Sequence, residues 1–225
     1  MQDTGIKMIA QQVFERGSAL LQQHKYEQAI VDLQQAEQLF RKIDVRGHPF
    51  TAPLSNGVSG LANALALSGL CHMKLGDCRK ASLCYESSFI NSKFEKMWPF
   101  KTFSKTVNDN LLTCYETMLR SKRPEDIEDI LMSDPDIDSS YEFPFSLSRE
   151  DAVIIARLFE LSPDRYADHR QFYLRAKVKD REIRRREKKS DEASMRKLSV
   201  LIWSILIIIW AIYGIVVIKA LINKN

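Results

Sequence analysis

Apolar residues recur along this chain every three to four positions, the period of a helix with one buried face. Glycine and proline, eight and seven in 225 residues, are too scarce to break that rhythm often. The pattern predicts an all-α fold. Helices are expected on either side of a tight turn at His24-Lys25, and again on either side of Gly76-Asp77. A long helix follows from about Lys101 to Arg120, and Pro124 opens a short one ending near Met132, together a truncated third hairpin. "DPDIDSSYEFPF", rich in Asp, Ser and Pro, reads as a linker. Ser148 is expected to cap "REDAVIIARLFEL", whose first turn holds Glu150 and Asp151. Ser162-Pro163 then predicts a further helix start, with no Gly or Pro until Gly214.

An internal repeat gives this helical string its organisation. Residues 10–36 align with 62–88 at a shift of 52: Ala10, Gly17 and Ala29 meet Ala62, Gly69 and Ala81. Val13 meets Leu65, Ala19 meets Cys71, Leu20 meets His72, Leu33 meets Tyr85, and Ala36 meets Ser88. Small residues such as Gly17 and Ala29 let two helices approach, while Leu20, Tyr26 and Leu33 fill the space beside them. A hairpin of this kind buries its apolar face only by stacking on a neighbour.

The pattern Gly17-x2-Leu20-x5-Tyr26-x2-Ala29-x3-Leu33-x2-Ala36, with a second copy from Gly69 to Ser88, resembles the tetratricopeptide repeat. His72 and Cys78 depart from it, and the period exceeds the usual roughly 34 residues by about 18. The surplus falls in "DVRGHPFTAPLSNGVSG". The resemblance implies that the first helix of each hairpin lines a concave, partner-binding surface. Carried over, that surface is Gln11, Phe14, Ser18, Leu21, Asn63, Ala66, Leu70 and Met73. It is mostly apolar, which suits an amphipathic helix or an apolar strand. Phe14, Ser18 and Leu67 stand where some members of the family place carboxylate-gripping Lys and Asn, so that clamp is missing.

Charge and hydropathy add a membrane to the picture. Residues 198–218, "LSVLIWSILIIIWAIYGIVVI", carry no charge, enough apolar length to cross a bilayer as a helix. Residues 175–197 hold eleven Lys and Arg against five Asp and Glu, a net of +6. No apolar leader opens the sequence, and "KALINKN" follows the span, so a single-pass tail anchor with a cytoplasmic N-terminal side is expected. The membrane itself is not specified. Arg184, Arg185, Arg186, Lys188, Lys189, Arg196 and Lys197 form a basic helical stalk that either solubilises this stretch or touches anionic headgroups. A nucleic-acid role is not expected. The expected organisation is a repeat domain over 1–133, an acidic linker over 134–147, a helical segment and stalk over 148–197, the span at 198–218 and a tail at 219–225.

Candidate chemistry changes little. Cys71, Cys78 and Cys84 are separated by six and five intervening residues, with His72 beside Cys71, not the close pairs of a zinc site, and read as core residues that stay reduced thiols. Asp134, Asp136 and Asp138 begin like a calcium loop, but Ser139 and Phe145 stand where Gly and Glu are required. Four scattered histidines, no phosphate-cradling loop and no nucleophile elbow predict no enzyme, no cofactor and no metal. The expected function is a membrane-anchored adaptor that binds a protein or peptide partner. The alternative is a structural subunit that self-assembles, as a homo-oligomer or within a membrane complex.

Overall fold

The protein is described from a computed structural model over residues 2–44, 59–92, 100–137 and 147–186, with separate residues between 188 and 203. Among the described residues it is all-helical, with no strand. Two compact units form: residues 1–133 with 149–173, and residues 134–148 with 174–225. The first contains α1 (Gln2–Gln22), α2 (Tyr26–Asp44), α3 (Gly60–Lys74), α4 (Cys78–Ser92), α5 (Phe100–Arg120), α6 (Pro124–Met132) and α7 (Glu150–Leu161).

The two turns inside the repeated hairpins have the same architecture. Lys25 N–H donates to Leu20 C=O and His24 N–H to Leu21 C=O; Asp77 N–H donates to His72 C=O and Gly76 N–H to Met73 C=O. Each is the paired closure that satisfies the last carbonyls of a helix through one left-handed residue. That residue is His24 (φ 60°) in the first turn and Gly76 (φ 81°) in the second. Asp77 then caps α4 by accepting from Lys80 N–H at 3.0 Å.

Side-chain packing repeats with the same shift. A Cβ on Gly17 would lie 3.0 Å from Leu33 Cγ, and one on Gly69 would lie 3.0 Å from the Tyr85 ring. Ala29 and Ala81 have no exposed surface. Ser88, the counterpart of Ala36, uses its hydroxyl to donate to Ala62 C=O at 2.7 Å. The hairpins join through α2 and α3, where Phe40 lies so close to Gly60 that any Cβ there would sit 2.4 Å from its ring. α1 also touches α3, and α3 touches α5, so the first helices lie side by side.

The third hairpin departs from the sequence reading. α5 and α6 have the expected lengths, but the helix packed along α5 is α7. Ile154 and Leu158 of α7 share one core with Ala66, Ala81, Tyr85, Leu111 and Cys114. The nine-residue α6 has only Ile130 buried, too little apolar surface to take that place. Two helix starts also differ. Ser148 does not cap α7; its hydroxyl donates to Asp136 at 2.9 Å, and Arg149 stands at the cap without a side-chain bond. The helix expected from Pro163 begins instead at 170, because Arg165 and Tyr166 both reach back to Glu116 and hold 163–166 as a turn.

In the second unit Asp134 pairs with Lys179 at 2.7 Å, and Ile137 bridges Leu147. The aspartates at 134 and 136 are thus tied to a lysine and a serine. The chain is helical over 174–186, and the described residues beyond, including Ser199 and Trp203, are helical too. No helix among the described residues is long and apolar enough to cross a membrane. The expected span at 198–218 lies outside them apart from those two residues.

Candidate functional site

The wall proposed from the repeat is only partly open. Gln11 is exposed, and Ser18 and Leu70 are half-buried. Phe14 packs on both the α1–α2–α3 core and the Ala29–Leu33–Cys71 cluster, with its ring edge-on to Phe40 at 6.4 Å. Leu21 leans on the second of these clusters, and Met73 on the core shared with α7. Asn63 and Ala66 are buried, 8% and 9% exposed. The eight residues are therefore unevenly accessible, with Gln11, Phe14 and Ser18 on α1 and Leu70 and Met73 on α3 exposed or half-buried. Between them the chain covers itself, since Ala66 already has apolar partners in the core that includes α7.

Sequence reasoning missed the most polar feature of the interior. Arg157, on the buried face of α7, is 2% exposed and forms a two-pronged pair with Glu86 on α4, Nε–Oε1 2.6 Å and Nη2–Oε2 2.9 Å. The Tyr115 hydroxyl on α5 donates to Glu86 Oε1 at 2.9 Å. Arg157 also pairs with Glu160 and lies 5.7 Å over the Phe89 ring. Burial opposes the guanidinium charge, but attraction to Glu86 outweighs it and raises the Arg157 pKa. Burial, then the neighbouring Glu86 charge, keeps Tyr115 protonated. The network clamps α4, α5 and α7 together; such a pair gives a geometry rather than a reaction. Its signal was present as a lone Arg within "AVIIARLFEL" and a lone Glu directly after Tyr85 in "LCYESSF".

At the far end of α5 an open cleft of about 280 Å³ is lined by Glu116, Leu119, Arg120, Lys122, Ile127, Arg165 and Tyr166. Its charges are largely matched: Arg165 with Glu116 at 2.7 Å, and Lys122 with Asp151 at 3.0 Å. Burial and its bond to Glu116 push the Tyr166 phenol up to about 12.

Of the cysteines, Cys71 stands opposite a small residue of the first hairpin, Ala19. Cys71 is fully buried against Ala29 and Leu33, and all four cysteines carry free thiols. Burial pushes Cys71 and Cys84 up to about 11 and Cys114 up to about 12. His72 is half-buried, and its pKa is lowered first by burial, with Asp77 pulling the other way. Of the basic stalk, Arg184, Arg185, Arg186, Lys188, Lys189 and Arg196 are helical and exposed, while Lys197 lies outside the described residues. Arg184 pairs with Asp180 at 2.9 Å.

No protein-family model matches the chain, and comparisons with curated proteins and with solved structures likewise give no match.

Proposed function

We propose that this chain is a membrane-tethered adaptor built on helical repeats of the tetratricopeptide kind. The observation that carries the reading is the recurrence, at a shift of 52, of one hairpin: the same turn closure, the same glycine-to-large-residue contact, the same buried alanine. Stacked hairpins of this type present one row of first helices, and such rows hold extended or helical peptides. The partner takes the accessible stretches of that row, Gln11 to Ser18 and Leu70 to Met73. An amphipathic helix fits, its apolar side meeting the edges of Phe14, Leu21 and Met73. Residues 198–218 anchor the protein in a bilayer with the repeat unit on the cytosolic side, and Arg184 to Lys197 lie along anionic headgroups.

A photo-crosslinking amino acid placed at Ser18 or Leu70 in the full chain tests the binding surface. Both positions are expected to capture the same discrete partner, while Gln34, exposed on α2, captures none. Products consisting only of a second copy of this chain would replace the adaptor with a self-assembling subunit. Equal labelling from all three positions would remove this surface as the site.

A further inference from the structure

The cleft at the end of α5 has one cation left over. Of the three in its lining, Arg165 pairs with Glu116 at 2.7 Å and Lys122 with Asp151 at 3.0 Å. Arg120, in the last turn of α5, makes no ion pair with any described residue. It follows Glu116 by four positions, so the two side chains share one face of the helix. The same Glu116 oxygen that meets Arg165 also accepts from the Tyr166 hydroxyl at 2.7 Å. The paired groups cancel, and a ligand meets a single positive charge. The rest of the wall is apolar, formed by half-buried Leu119, Ile127 and Tyr166. The Tyr166 ring is already covered by the Arg165 guanidinium, 5.7 Å from its centroid, which leaves aliphatic surface rather than an open aromatic face.

We propose that this cleft binds a short aliphatic monocarboxylate, with its carboxylate on Arg120 and its chain against Leu119 and Ile127. A guanidinium presents two parallel N–H donors, the geometry that a carboxylate accepts. The cleft holds about 280 Å³, close to the lower end of ligand pockets at roughly 300 Å³, so the chain is short. The site lies on α5, the turn after it, α6 and residues 165–166. It is independent of the partner proposed for α1 and α3.

Selectivity follows from the charge count and from exposure. A dianion would bring a second negative charge beside Glu116, with no further cation of the lining to meet it. Tyr166 keeps its proton at neutral pH, because burial and then its bond to Glu116 push the phenol up to about 12. It therefore adds no negative charge that would repel the ligand. An ion pair on an exposed arginine contributes little by itself. A short chain on an open wall likewise removes little apolar area from water. The two contributions must act together, so an acid without a chain and a chain without an acid are both poor ligands.

Titration of the full chain in detergent micelles with sodium hexanoate, followed by methyl NMR of labelled Ile and Leu, tests this. The Ile127 and Leu119 signals are expected to move saturably, while acetate and hexanol at the same concentrations leave them in place. Inorganic phosphate is expected not to displace hexanoate. Arg120→Gln is expected to raise the hexanoate Kd about tenfold, the loss of a charge-assisted contact. Arg170→Gln, which removes an exposed arginine outside the lining, is expected to leave it unchanged. No saturable shift with hexanoate, an equal response to hexanol or acetate, displacement by phosphate, or wild-type affinity in the Arg120 variant would overturn the proposal. If the spectrum of that variant changes throughout, the wild-type titrations decide alone.

Discussion

Arg157 shows how one residue can hold a fold without being worth much in itself. Its pair with Glu86 exchanges a large desolvation cost for two short bonds, and the two nearly cancel. Removing one partner is another matter, because the other charge stays buried. Arg157→Met is expected to cost about 3–5 kcal/mol, whereas Arg157→Met with Glu86→Leu recovers most of the loss, less roughly 1 kcal/mol for the Tyr115 hydroxyl left without its acceptor. Denaturant melts of the two variants measure this; additive losses would show that the residues are not coupled. His169 makes a second residue-scale prediction. It is buried, with Nδ1 3.3 Å from Ile155 C=O, and burial lowers its pKa from 6.5 although that contact and Asp168 oppose the shift. The folded chain therefore excludes a proton that the unfolded chain accepts. Stability is unaffected well above pH 6.5 and declines as pH falls below it. His72, shifted the same way, adds to the slope. His169→Asn, which keeps a donor and removes the titration, is expected to flatten the change in urea midpoint between about pH 7.5 and 5.5. An unchanged slope would assign the pH dependence to other groups.

At the scale of elements, helix identity, the two turns and the repeat were legible because periodicity and small residues carry them locally. Gly17 and Gly69 each face a large side chain of the following helix, and that contact can be found by aligning the chain with itself. Helix starts were less legible where a distant residue intervenes. Ser148 has the chemistry of a cap, yet Asp136 takes its hydroxyl; Pro163 has the chemistry of a first helical residue, yet Glu116 holds the next turn open. No local pattern announces either partner. The substitution of α7 for α6 against α5 was hidden for the same reason, since it depends on contacts that span the linker. The repeat also explains why equivalent positions differ in polarity. Exposed Arg16 and buried Asp32, paired at 2.6 Å in the first hairpin, correspond to Ser68 and Cys84 in the second, where Ser68 is buried. Glycine substitutions test the packing. At Gly69 an added methyl meets the fully buried Tyr85 ring, so overpacking of about 1–3 kcal/mol outweighs the roughly 1 kcal/mol gained in helix propensity. Gly69→Ala is expected to destabilise, Gly17→Ala less so because Leu33 is more adaptable than a ring, and Gly5→Ala, with nothing within 4 Å, to stabilise. Thermal melts giving the same sign at all three positions would contradict this packing.

At the scale of the whole molecule, two neighbouring segments near the C-terminus contrast in charge. Residues 198–218 carry no charged side chain across a length that matches a bilayer, and the 23 positions before them carry a net +6. The two features favour the same arrangement. Transferring an uncharged stretch into hydrocarbon is favourable for each Leu, Ile, Val and Phe-sized side chain, while a basic flank favours retention on the cytosolic side. On the proposed topology that side holds the repeat unit, in keeping with its four free cysteines. The prediction is that carbonate washing leaves the full chain in membranes, and that protease added outside intact cells leaves the repeat unit uncut. The energetics supply the control. One arginine at the centre of a span costs only about 2.5–3.5 kcal/mol on an insertion scale, which a long apolar helix tolerates. Two, at Ile207 and Ile209, cost roughly twice that and are expected to release the protein into the carbonate supernatant. Arginines at Val31 and Leu83, both exposed on the repeat unit, add the same charge without that cost and are expected to leave the chain in the pellet. Extraction of the wild type, or identical behaviour of the two double variants, would mean that the apolar stretch does not anchor the chain.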